Sequence, residues 1–191
     1  IIDRVPRTMT EHDKTVLRQL AALVMERLGE HKQKLQTEHK LQLLDLLLDS
    51  IPDALVACDS EGQLEQFNKV ARDWHGVDVR HCDPDLWSHH YDLYEEDGYT
   101  VLPVERIPLL RAFHGETVLS QDICIKSKNQ PPRWVRCRGE QLRARSGQLL
   151  GALVLMHDIS EQKQLEQMKT DFISTVSHEL RTPITAISGG L

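Results

Sequence analysis

Two different spacings of apolar residues divide this chain. Leu17, Leu20, Ala21, Val24 and Leu28 recur at intervals of three and four, and the pattern continues more thinly through Leu35, Leu41, Leu44 and Leu48. At about 100° of turn per residue, those intervals put them on one face of a helix. Thr10, with Asp13 three residues on, has the form of a helix start. Ser50-Ile51-Pro52 ends the helix, because proline disfavours the helical conformation in the residue before it. A helix over 11–50, rising about 1.5 Å per residue, would span roughly 60 Å, longer than a globular domain normally uses. Such a helix is expected to need a partner.

Past Pro52 the period shortens. Ala54–Asp59 and Gln63–Phe67 read as two strands joined by the turn Ser60-Glu61-Gly62. Asn68 then caps a helix over Lys69–His75, with Val70, Ala71 and Trp74 on one face and Gly76 at its stop. Asp83-Pro84 has the form of a cap followed by proline at the first helical position, and Pro108–Phe113, followed by Gly115, reads as another short helix. Three further strands follow: Val118–Lys126, Arg133–Gln141 and Gln148–His157, separated by turn-forming stretches at Ser127–Pro132 and Arg145–Gly147. The fold class is therefore α+β. Five strands with short helices between them over 51–160 are flanked by long helices on both sides.

After Asp158-Ile159-Ser160-Glu161 the helical spacing returns. Leu165, Met168, Phe172, Val176, Leu180 and Ile184 form a stripe suited to packing against a second helix, so 161–191 is expected to supply half of a coiled-coil seam.

Charge and composition narrow the function. A net charge of −6 and an isoelectric point near 5.9 leave no basic stripe for nucleic acid. The longest apolar run, Leu149–Met156, is far short of the roughly 20 residues a membrane helix needs. A cytoplasmic location is expected for this segment, with a membrane anchor upstream of Ile1 left open. Cys58, Cys82, Cys124 and Cys137 share no C-x-x-C spacing and are expected to be buried, reduced thiols.

The spacing Asp59-x-x-Gly62-x-Leu64-x-x-x-Asn68, with Ala71 and Gly76 after it, resembles the start of a PAS domain. The order of two strands, short helices and three strands is the PAS order, which implies one five-stranded antiparallel sheet with short helices, and Asp158-Ile159-Ser160-Glu161 resembles the motif by which PAS domains pass into a signalling helix. At the other end, Asp3, Pro6, Arg7, Met9, Thr10 and Asp13 resemble the close of a GAF sensor domain. The resemblances imply a GAF-like remnant over 1–10, a signalling helix over 11–50, a PAS sensor over 51–160, and a coiled-coil linker with the first dimerisation helix over 161–191.

That last helix carries Ser177-His178-Glu179-Leu180-Arg181-Thr182-Pro183, which resembles the phosphoacceptor box of HisKA-type sensor histidine kinases. On a helix, His178 lies about 200° from both Val176 and Leu180 and so faces away from the apolar stripe. Pro183 would free the carbonyl of Glu179, so a bend is expected about one turn past the histidine. The bland reading is a surface histidine on an amphipathic helix. The resemblance instead implies a phosphoacceptor: His178 as nucleophile, Glu179 as the carboxylate that fixes its tautomer, and Thr182 in dephosphorylation of the partner regulator.

The glycine-rich and asparagine-rich nucleotide boxes of that family do not occur in these 191 residues. ATP and Mg2+ are therefore expected to be bound by a catalytic domain beyond Leu191, and this segment is expected to be inactive alone. The implied partners are a second copy in a parallel homodimer and a response-regulator receiver domain, with no metal and no nucleic acid. For a PAS ligand the polar candidates are His81, Cys82, His89, His90 and His114, of which His114 lies where haem-binding PAS domains carry their axial ligand. The spacing matches no common metal template, and no cysteine sits in the setting of flavin-adduct photosensors. The alternative is a non-catalytic PAS module whose helices only mediate dimerisation.

Overall fold

The structure is a computed structural model that describes the backbone of residues 11–76, 83–128 and 130–188, with the side chains of all of these except residues 13 and 177–188. The expected GAF-like remnant over 1–10 lies outside the described residues, as do His81 and Cys82. The chain divides into two units, Ile1–Leu47 and Leu48–Leu191.

The first unit contains most of helix α1, Glu11–Asp49, which is 39 residues long. Its apolar residues, Leu17, Leu20, Val24, Leu28, Leu35, Leu41 and Leu44 among them, are exposed.

The second unit is a single antiparallel sheet with helices against one face. Strands β1 (Ala54–Cys58), β2 (Leu64–Phe67), β3 (Leu93–Glu95), β4 (Val118–Ile125), β5 (Arg133–Arg143) and β6 (Leu149–Asp158) take the order β2-β1-β6-β5-β4-β3. The five strands expected from the sequence are present, and β3 is a sixth. It is three residues long, joins the edge beside β4 through Leu93↔Ile125, and carries too little alternation to stand out in the sequence.

Helices α2 (Lys69–His75), α3 (Trp87–His90) and α4 (Pro108–Phe113) cover the inner face. Two 3-10 turns, Pro84–Leu86 and Val104–Arg106, lead into α3 and α4, and the first is capped by Asp83 as its sequence implied. Val56, Phe67, Trp87, Tyr91, Leu109, Ile123, Val135, Val154 and Met156 form the core between the layers. Cys58, Cys124 and Cys137 are buried free thiols. On α2 the buried residues are Ala71 and His75, whereas Val70 and Trp74 are half-buried. The Trp74 ring lies at the rim, with the Arg133 guanidinium 4.8 Å from its centroid.

Gly151 allows β1 and β6 to lie side by side. Its φ is 148°, and a β-carbon there would stand 2.0 Å from the carbonyl oxygen of Cys58. Helix α5, Ser160–Ser188, leaves from the end of β6, and its helical backbone continues across Pro183.

Candidate functional site

The carboxy-terminal helix is anchored at its root by a small polar knot. The Asp158 carboxylate accepts from the Ser160 amide at 2.9 Å and is bound by the Arg133 guanidinium. Ser160 Oγ in turn accepts from the Trp134 amide at 3.0 Å, and the Ile159 amide donates to the Trp134 carbonyl at 2.9 Å. Partial burial pushes the Asp158 carboxyl up, but hydrogen bonds from Ser160 and Arg133 outweigh it and hold the group below the ordinary carboxylate range.

One turn further, Lys163 bridges Glu96 and Asp122, with its ammonium 3.4 Å from the latter. Asp122 also takes a two-point bond from Arg136 at 2.8 and 2.9 Å, which is the main reason its carboxyl is held below the usual range. The hydrogen bond to Glu96 holds the Lys163 ammonium more firmly protonated. The first turn of α5 is thus tied to β4, β5 and the residue after β3.

Beyond that root the helix offers an uncovered apolar stripe. Leu165, Met168, Phe172 and Val176 are all exposed, Phe172 to 69%. His178, Glu179 and Thr182 lie farther along the same helical backbone, and their side chains are outside the described residues.

The second feature is a cavity of about 40 Å3 in the core, walled by apolar side chains together with His75 and Cys137. Pockets for drug-sized ligands run to about 300–1,000 Å3, so this one has room for only a few atoms. His75 is the titratable group that sequence reasoning overlooked as a wall residue, because its position at the end of a capped helix reads as a stop. The signal was present: Ala71 and His75 are four apart and share a face. Burial lowers the His75 pKa to about 4, and its Nδ1 donates to the Tyr91 carbonyl at a long 3.4 Å. The neutral ring packs among aromatics, 5.7 Å from Phe67 and 5.5 Å from Tyr91. Burial also pushes the Cys137 thiol up, away from a reactive thiolate.

The remaining histidine candidates lie elsewhere. His114 is exposed at the end of α4, edge-on to Phe113, and is not part of the cavity wall. His89 is exposed, and His90 is half-buried against the Tyr91 ring at 4.7 Å. Among the described residues no three His, Cys, Asp or Glu side chains are grouped to hold a metal ion, and no helix is long and apolar enough to cross a membrane.

Comparison with known proteins matches the two regions separately. The family model described as PAS fold matches residues 48–164, and the one described as His Kinase A (phospho-acceptor) domain matches residues 168–191. Sensor protein kinase WalK of Staphylococcus aureus strain Newman is 27% identical over 173 residues, which cover 87% of this chain and 26% of that protein. A second Staphylococcus aureus WalK sequence has the same identity, with 37% of its length covered. The chain thus spans well under half the length of these relatives. Among solved structures, that of an RNA-binding light-oxygen-voltage receptor superposes with a TM-score of 0.52 at 17% identity, covering 75% of this chain and 39% of that one. That likeness concerns the fold alone.

Proposed function

The chain belongs to the PAS fold family and carries after it the phosphoacceptor portion of a HisKA-type sensor histidine kinase, and we propose that it couples a change of state in the PAS unit to phosphorylation of His178. The observation that carries this reading is continuity: a single helix, α5, begins at the anchored exit of the sheet and runs into the phosphoacceptor match, past His178 to Ser188. A shift at Ser160 therefore reaches His178 through about twenty residues of unbroken helix, roughly 30 Å at 1.5 Å per residue.

In the proposed reaction a neutral His178 ring nitrogen attacks the terminal phosphorus of ATP. The new N–P bond forms as the bond from that phosphorus to its bridging oxygen breaks, and ADP leaves with the electron pair. Glu179 accepts a hydrogen bond from the other ring nitrogen and stabilises the positive charge that develops there. ATP and Mg2+ are held by a separate catalytic domain, and the phosphoryl group then passes to an aspartate of a response regulator. Thr182 orients water, or the regulator's phosphorylated site, for the reverse loss of phosphate. The exposed stripes on α1 and α5 are covered by a second copy in a parallel homodimer, and the segment acts on the cytoplasmic side.

The test uses the parent protein with radiolabelled ATP and Mg2+. It should gain an acid-labile, base-stable phosphate that His178→Gln removes, while Glu179→Gln slows labelling by about a hundredfold. Thr182→Ala should leave labelling intact and slow dephosphorylation of the regulator. Label persisting in H178Q would sink the assignment.

A further inference from the structure

The chain enters and leaves its sheet at one corner. Ala54, which opens β1, pairs with Met156 near the end of β6, so the residue before one strand and the penultimate residue of the other, His157, are neighbours. Their side chains meet as well, with His157 Nδ1 donating to Asp53 Oδ1 at 2.7 Å.

Asn68 ties that corner to the last turn of α1. Its side-chain nitrogen donates to the Asp53 carbonyl at 2.9 Å and to the Leu48 carbonyl at 3.2 Å. Its side-chain oxygen accepts from the amides of Leu55 at 2.9 Å and Ala71 at 3.0 Å. Asp49 holds the same turn from outside: it accepts from the Lys69 amide at 2.7 Å and from Arg72 at 3.2 and 3.3 Å. On the far side His157 is followed by Asp158, whose carboxylate caps the start of α5.

A series of polar contacts, joined by the chain itself within Asp53 and from His157 to Asp158, therefore links Leu48, Asn68, Asp53, His157 and Ser160. None of those five residues is part of the cavity wall. Asn68 is fully buried with both donors and both acceptor sites used. Such a group cannot let one partner slip without leaving a buried polar atom unpaired, so its partners move together.

We propose that this corner is a mechanical relay, in which a displacement of the last turn of α1 is passed through Asn68 and the Asp53–His157 pair to the first turn of α5, with no ligand needed in the core. The PAS unit then transmits what arrives along α1 in addition to whatever it senses itself. The relay adds a source of signal to the kinase reading above, yet it is read from amide exchange. A parent protein that failed to phosphorylate His178 would leave it standing.

Hydrogen exchange by mass spectrometry on the full 191-residue chain tests it. Asp49→Asn loosens the α1 turn while keeping an acceptor for Lys69. Exchange should rise about threefold or more both in 46–50 and in 160–164, with the central β4 and β5 amides unchanged. Adding His157→Ala should cut the rise at 160–164 by at least about half and leave that at 46–50 in place. The proposal is overturned if 160–164 does not respond to D49N, if it responds equally in the double variant, or if all core amides speed up together. His157 is 66% exposed, so its truncation opens no hole in the core.

Discussion

Leu55 and Asn68 hold each other through two hydrogen bonds running in opposite directions. The Asn68 amide donates to the Leu55 carbonyl at 3.0 Å, and the Leu55 amide donates to the Asn68 side-chain oxygen at 2.9 Å. One side chain thus joins the first strand of the sheet to the cap of α2. With its nitrogen it also serves Leu48 and Asp53.

Asn68→Asp should therefore be costly although the shape is nearly conserved. The replacing oxygen would face the carbonyls of Leu48 and Asp53 with no proton to offer. The expected loss is about 3 kcal/mol in the stability of the second unit. Urea unfolding followed by tryptophan fluorescence reads this directly, since Trp74, Trp87 and Trp134 all belong to that unit. A loss below about 1 kcal/mol would mean that solvent reaches the site.

His75 gives the PAS unit an acid limit. Its pKa falls from 6.5 to about 4 on burial, so the unfolded chain binds a proton more readily than the folded one. The stabilisation from keeping the ring neutral is fully present above pH 6.5. It is lost as the pH falls towards 4, by on the order of 3 kcal/mol in total. His75→Phe keeps an aromatic ring beside Phe67 and Tyr91 and removes the proton. The gap in urea midpoint between pH 7 and pH 5 should shrink in H75F, and an unchanged gap would locate the acid sensitivity elsewhere.

Gly151→Ala tests the seam between β1 and β6. The added carbon would lie 2.0 Å from the Cys58 carbonyl oxygen, and the backbone φ of 148° disfavours any side chain. The two strands must part, so a loss of more than about 3 kcal/mol is expected in the same urea assay. A loss under about 1 kcal/mol would show that the seam adjusts by small shifts.

The sequence made the elements with strong local signals legible. Helix α2 occupies Lys69–His75 as its Asn68 cap and Gly76 stop predict, and α1 ends at Asp49, just before Ser50-Ile51-Pro52. Strand β3 was not legible, because three residues at an edge owe their conformation to pairing with β4 and not to their own pattern. The wall position of His75 was half legible: its four-residue spacing from Ala71 puts both on one helix face, but that this face is the inner one depends on packing against Tyr91, 16 residues on. The phosphoacceptor box was legible as a resemblance. The root of its helix was less so, since the contacts of Lys163 with Glu96 and Asp122 join residues far apart in the chain.

The α5 stripe makes a prediction about assembly. Leu165, Met168, Phe172 and Val176 follow one another at intervals of three, four and four residues, the spacing of a helix-pair seam, and all are exposed in the single chain. Phe172 carries the one aromatic ring of the four and is 69% exposed. Burying a phenylalanine side chain contributes roughly 1.5–3 kcal/mol, and a symmetric pair does so twice. Phe172→Glu removes that gain and sets two like charges across the seam, so the dimer dissociation constant should rise at least about tenfold in sedimentation velocity. Leu119→Glu is the control. It lies on β4 and is 74% exposed, so it adds the same charge on the sheet and leaves the stripe intact. Equal weakening by the two variants would show that the added charge alone, and not the stripe, separates the copies, and no weakening by F172E would show that the seam is formed by other residues.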